Sequence, residues 1–217
     1  MGMTISQIET SLALAADLGQ CRAGFGALLA RADLPPAAAA ELRRRHAEPH
    51  RNYHDAAHVG LLWLRHLLHG GDPGDRELAL AILFHDAVYE PMSKDNEARS
   101  AALLAELVPG DTAWARQAIL ATADHMAYAG QDCRVRRLLD LDLSPLAESP
   151  PIFARNTTFL RREYVAIPES QWREGRRHVL EGFLAAPAIF RTRLGAAYEA
   201  PARENLSAAI DELAAAA

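Results

Sequence analysis

Cysteine is scarce: the 217 residues contain only Cys21 and Cys133. Two thiols so far apart cannot build a disulfide framework, so a reducing, cytoplasmic setting is expected. Both read as ordinary buried or surface thiols. No apolar run approaches the length needed to cross a bilayer, and the N-terminus lacks the basic start and apolar stretch of a secretory signal. Met1-Gly2-Met3-Thr4-Ile5-Ser6 fits the loose N-myristoylation pattern, but helical spacing follows at once and the fit reads as coincidence. Positive charge is not in excess either, since the formal net charge is −5. Coating a nucleic-acid polymer requires a basic surface to displace counterions, so neither such a polymer nor a membrane is an expected partner. A small phosphate ester stays open, because a local metal outweighs a modest global charge.

Strand signals are nearly missing, with no sustained alternation of β-branched and polar residues and no Asn-Gly hairpin turn. Glycine and proline are dispersed, so no linker divides the chain. What remains is helical spacing throughout. Ile5, Ile8, Leu12 and Leu14 begin one amphipathic stretch, and Phe25, Leu28 and Leu29 belong to a second. Pro35-Pro36 suits the first turn of a third. The spacing of Val59, Leu62 and Trp63 predicts a helix over 56–68, stopped by Gly70-Gly71-Asp72-Pro73-Gly74. Asp75 caps the next helix, which is expected to run through His85-Asp86 until Pro91 ends it. Ser93 to Glu97 reads as a capped start running to Leu107. Further helices are expected over 114–125, 135–141, 153–164, 169–184 and 203–213, with a frayed end at 214–217. The expected fold is all-α, a single domain of roughly ten helices over 1–217. A core over about 50–145 would carry the chemistry, with helices over about 150–214 packed on it.

Nine histidines are present, and their placement matters more than their number. His54 and His58 are four apart, which on a helix puts both on one face. His85-Asp86 closes the apolar run Leu80-Ala81-Ile82-Leu83-Phe84, an unusual place for a carboxylate because burying one unpaired is costly. Farther on come His125, and Asp140 and Asp142 in Leu138-Leu139-Asp140-Leu141-Asp142-Leu143. Singly, each has an ordinary explanation: a surface histidine pair, a helix cap, or an ion pair with Arg136 or Arg137. Their joint order and apolar setting are harder to explain without chemistry.

His58, then His85-Asp86, then Asp142 on successive helices resembles the H…HD…D signature of the HD superfamily of metal-dependent phosphohydrolases. Arg51-Asn52-Tyr53-His54 with His58, Phe84-His85-Asp86-Ala87-Val88-Tyr89 with Pro91, and Asp95-Asn96-Glu97 with Ser100-Ala101 resemble a bacterial family of predicted HD hydrolases. Thr122 with His125, Asp140-Leu141-Asp142-Leu143, Arg161 with Glu163-Tyr164, and Ala202-Arg203 with Asn205-Leu206 extend the match over nearly the whole chain. Asp55 where asparagine often stands and Ala147 in place of a glycine are mild departures. The resemblance implies an HD-type helical bundle with metal ligands His58, His85, Asp86 and Asp142. Tyr53-His54…His58 is also locally similar to a cyclic-nucleotide phosphodiesterase motif, which implies a proton donor at His54 and a ligand at His58.

Two imidazoles and two carboxylates suit Mn, Fe, Co, Ni, Zn or Mg, as one ion or two, and leave positions open for water and substrate. His54, Glu97 and His125 are the candidate acid, base or phosphate-holding groups. For Glu97 a favourable place in the first turn of its helix explains it about as well. A second ion would need Asp86 to bridge, with His125 or Glu97 adding ligands. Arg51, Lys94 and Arg161 are candidates for gripping an anion. Arg43-Arg44-Arg45 reads as a solvated face, and Trp63, Trp114 and Trp172 as core. The leading expectation is hydrolysis of a small phosphate ester, perhaps a nucleotide, by metal-activated water. The alternative is a metal- and ligand-binding regulatory module with little turnover. A di-iron oxygenase ranks last, because only His54 and His125 are spare histidines.

Overall fold

The computed structural model describes the backbone of residues 5–215 and the side chains of residues 9–215. The myristoylation pattern, the apolar positions Ile5 and Ile8 and the last two alanines therefore lie wholly or partly outside what is described. Among the described residues there are eleven α-helices, three short 3₁₀ turns and no strand. Among the described residues, no helix is long and apolar enough to cross a membrane.

The first three helices are α1 (Ile5–Leu14), α2 (Leu18–Arg31) and α3 (Pro36–Arg45). Next come α4 (Ala56–Leu68) and α5 (Arg76–Phe84), which hold the centre. Every residue from Leu78 to Phe84 is buried. A helix apolar on all sides must be surrounded, and α5 is packed by α2, α4, α6 (Asn96–Leu107), α7 (Ala113–Ala121) and α8 (Cys133–Leu143). The outer helices are α9 (Pro150–Glu163), α10 (Glu169–Ala185) and α11 (Glu199–Ala215).

Backbone approach between α2 and α4 depends on Gly60. A Cβ there would lie 1.8 Å from the Cys21 carbonyl oxygen and 2.6 Å from the Phe25 nitrogen. No side chain fits, so the two helices touch backbone to backbone. Asp55 caps α4, its Oδ1 accepting from Ala57 N at 2.7 Å. Aspartate and asparagine cap about equally well, which accounts for the departure at this position.

One boundary differs from expectation in a way that matters. Helix α5 stops at Phe84 rather than continuing through His85-Asp86 to Pro91. The Arg51 guanidinium takes the carbonyls of Asp86 (2.6 Å) and Ala87 (3.0 Å), and the Ser100 hydroxyl accepts from Val88 N at 2.9 Å. With those backbone groups claimed from elsewhere, the helical ladder ends. His85 and Asp86 are left at the helix mouth, where their side chains reach neighbours on α4 and α8.

Candidate metal centre

His58 sits on the first turns of α4, His85 and Asp86 at the end of α5, and Asp142 near the end of α8. His58 Nε2 lies 3.3 Å from His85 Nε2, 3.0 Å from Asp142 Oδ1 and 3.7 Å from Asp86 Oδ2. His85 Nε2 lies 3.0 Å from Asp86 Oδ2 and 3.6 Å from Asp142 Oδ1. Ligands about 2.0–2.2 Å from a common cation stand about 2.8–3.6 Å apart in octahedral or tetrahedral geometry. The spacing matches. Among the described residues, His58, His85 and Asp142 form a group able to hold a metal ion, and Asp86 Oδ2 lies beside its two imidazoles without belonging to that group.

The donor chemistry also fits. His85 Nδ1 lies 2.9 Å from the Ile82 carbonyl, which can only accept, so Nδ1 carries hydrogen and Nε2 is free to offer its lone pair. Burial works against charge on His85, yet Asp86 and Asp142 raise its pKa well above the ordinary value. Burial likewise opposes charge on the two carboxylates, but His85 beside them holds both well below the usual range. The point between these groups is therefore strongly cation-seeking, and a divalent ion competes there with protons.

His125 follows the 3₁₀ turn Thr122–Asp124 after α7. Its Nε2 donates to Asp142 Oδ2 at 2.8 Å, the oxygen that does not face His58. His125 thus orients the carboxylate of a candidate ligand, and its Nε2 is already engaged. His54, in the loop before α4, is held by Glu163 at the end of α9. Nδ1 donates to Glu163 Oε2 at 2.7 Å, and Oε1 accepts from the backbone of Asn52, Tyr53 and His54 at 2.7–2.9 Å. Tyr89 donates its hydroxyl to the same carboxylate at 2.9 Å. Burial lowers the His54 pKa, but the Glu163 hydrogen bond and the charges of Asp86, Glu163 and Asp142 leave it raised.

The remaining candidates are placed elsewhere. Arg51 donates to the carbonyls of His54, Asp86 and Ala87 and to Glu48, so it scaffolds the site backbone rather than offering a free guanidinium. Arg161 closes the end of α9 on the carbonyls of Tyr164 and Ile167 and pairs with Glu169. Lys94 is exposed and Glu97 half-buried, and no described contact joins either to the cluster. Asp140 is buried and accepts from Arg191 N, Thr192 N and Thr192 Oγ1 at 2.5–2.8 Å, which anchors the segment after α10 instead of pairing with Arg136 or Arg137. Trp63 is core, while Trp114 and Trp172 are half-buried under Arg134 and Arg161. In the sequence Glu163 stands out only as part of a resemblance. Its five-donor role depends on residues 74 to 111 positions away and leaves no local trace.

Compared with protein-family models, with curated proteins and with solved structures, the chain matches none of them. A functional reading therefore stands on the geometry of the site.

Proposed function

We propose that this chain is a metal-dependent phosphohydrolase of the HD type that cleaves a small phosphate ester. The observation that carries the reading is the convergence of His58 Nε2, His85 Nε2 and Asp142 Oδ1 within 3.0–3.6 Å of one another, with Asp86 Oδ2 at 3.0 Å from His85 Nε2 and 3.7 Å from His58 Nε2. The two carboxylates and two imidazoles match a divalent ion in charge and hardness. A bound ion of the Mn, Fe, Co, Ni, Zn or Mg group supplies Lewis acidity toward water and toward a phosphoryl oxygen.

The chain's own residues provide the rest. Glu163 can only accept, so it fixes the hydrogen of His54 on Nδ1 and leaves Nε2 as the atom that gains or loses a proton. The raised pKa favours the protonated ring, which suits a general acid for a leaving oxygen. The His54 ring centroid is 5.8 Å from that of His58, within reach of a group bound at the cluster.

Elemental analysis of the wild type and Asp86→Ala, with a screen of phosphate esters, tests the proposal. Stoichiometric metal that is lost in the variant, with metal-dependent phosphate release, is the expected result. Metal without turnover would make the chain a binding module. No metal under any condition would sink the site itself.

A further inference from the structure

Next to the cluster lies a cavity of about 170 Å³ whose walls include Tyr53, His54, Asp142, Asn156, Thr157 and Arg176. Arg176, on α10, is the unusual member. Its Nε is buried without a hydrogen-bond partner, and among the described residues its guanidinium makes no hydrogen bond or ion pair. The phenols of Tyr53 and Tyr164 are the groups that act on it electrostatically, and neither is a carboxylate.

Leaving a guanidinium so placed without a counter-charge is costly. Elsewhere the guanidinium groups have partners, even where one Nε is left over as in Arg65 and Arg155: Arg51 is bound to three carbonyls and Glu48, Arg65 to Glu148, Arg134 to Asp75 and Glu77, and Arg137 to His66 and two carbonyls. Arg176 instead faces a space that it shares with a ligand carboxylate and with His54. Among the described residues Asp142 makes no hydrogen bond or ion pair with it and is engaged by His58 on one oxygen and His125 on the other. The missing counter-charge is one that arrives from solution.

We propose that Arg176 is the anion-gripping residue of this site, taking the phosphoryl group of a compact phosphate monoester into the cavity it shares with Asp142. The inference rests on the metal-site reading above and extends it to the substrate class. Leu143, Leu146, Phe153 and Leu160 form the apolar part of the wall and receive the carbon skeleton of the leaving group. At about 170 Å³ the cavity is smaller than the roughly 300–1,000 Å³ of sites for drug-sized ligands. A leaving group smaller than a nucleoside fits it. Arginine suits the task because its planar fork binds two phosphate oxygens at once.

The test uses inorganic phosphate as the probe. Calorimetry on the full chain loaded with Mn²⁺ compares wild type, Arg176→Met and Arg176→Lys, with melting temperature and metal content recorded for each. Phosphate binding that weakens tenfold or more in Arg176→Met at unchanged metal content, with partial recovery in Arg176→Lys, is expected. No phosphate binding by the wild type, or equal affinity in Arg176→Met, would overturn the assignment. Should the methionine variant fail to fold, phenylglyoxal labelling of the wild type read by mass spectrometry decides. Protection of Arg176 by phosphate supports the assignment, and unchanged labelling overturns it. Metal content reports on the cluster separately. If the chain binds no metal, the cluster reading falls, while the same phosphate measurements on metal-free protein still decide the role of Arg176.

Discussion

Glu163 holds His54 at two points, through Oε2 on the ring Nδ1 at 2.7 Å and through Oε1 on the backbone N–H at 2.9 Å. Burial alone would raise the carboxyl's pKa, but the His54 contacts and the backbone donors bring it down to about 2. The stability this contributes is present above the ordinary carboxyl value of 4.5 and is lost as pH falls toward about 2. The raised pKa of His54 works in the opposite sense: its share is complete below 6.5 and is lost as pH rises through the folded value. Glu163→Gln is therefore expected to destabilise most in the window between these limits, by about 1–3 kcal/mol. Urea unfolding of both proteins across pH checks this. A stability difference that does not change with pH would remove charge from the account.

His125 donates to the outer oxygen of Asp142 rather than projecting into the cavity. Partners of that kind orient a ligand without touching the ion, and their loss typically weakens metal binding about 10–100-fold. His125→Ala is expected to bind metal with that reduced affinity in a chelator competition, with the fold intact. Undiminished affinity combined with lost turnover would instead place His125 among the acid–base groups.

Much of this was legible in the chain because the signals are local. The extent of α4 follows from the spacing of Val59, Leu62 and Trp63 and a glycine-rich stop, and the observed helix spans Ala56–Leu68 as expected. The clustering of His58, His85 and Asp142 was readable because a histidine and an aspartate closing the apolar run Leu78–Phe84 stand out from their surroundings. The end of α5 was not readable: it is decided by Arg51, 35 positions before Asp86, taking that residue's carbonyl. The partners of the anion candidates were hidden for the same reason. Arg51 and Arg161 look like free cations in sequence, and only folding shows their donors occupied by backbone carbonyls. Arg176, which folding leaves unpaired, sits in an ordinary-looking run with Arg173 and Arg177.

Asp140 and Asp142 stand two apart in one apolar segment, and the fold gives them different work. Asp140 is bound by the backbone of Arg191 and Thr192, and burial leaves its carboxyl pKa raised despite those donors. Asp140→Ala is expected to cost about 1–3 kcal/mol for the orphaned donors and to speed amide exchange at Arg191 and Thr192, with metal content unchanged. Asp142→Ala should show the reverse pattern, losing metal while those amides stay protected. The same metal loss in both variants would mean that Asp140 acts on the cluster after all.

Arg65 and Glu148 form an ion pair at 2.6 Å with both side chains fully buried. Arg65 also donates to Ser144 Oγ at 2.7 Å and to the Ser11 carbonyl at 3.1 Å, joining α1, α4 and the turn after α8. Yet Arg65 Nε and Glu148 Oε2 have no partner, and burial raises the Glu148 pKa against the pull of Arg65. The sign of that shift is informative. Stability tied to protonated Glu148 is complete below 4.5 and is lost as pH rises through the folded value, so the ionised carboxylate is incompletely compensated at neutral pH. Removing one partner strands the other charge: Arg65→Met is expected to cost about 3–5 kcal/mol, whereas Arg65→Met with Glu148→Leu should recover most of that loss. Denaturant titration of the two single variants and the double variant measures the coupling. If the double variant lost as much as the two single changes added together, the pair would be two independent packing elements. Its burial would then owe nothing to electrostatic compensation.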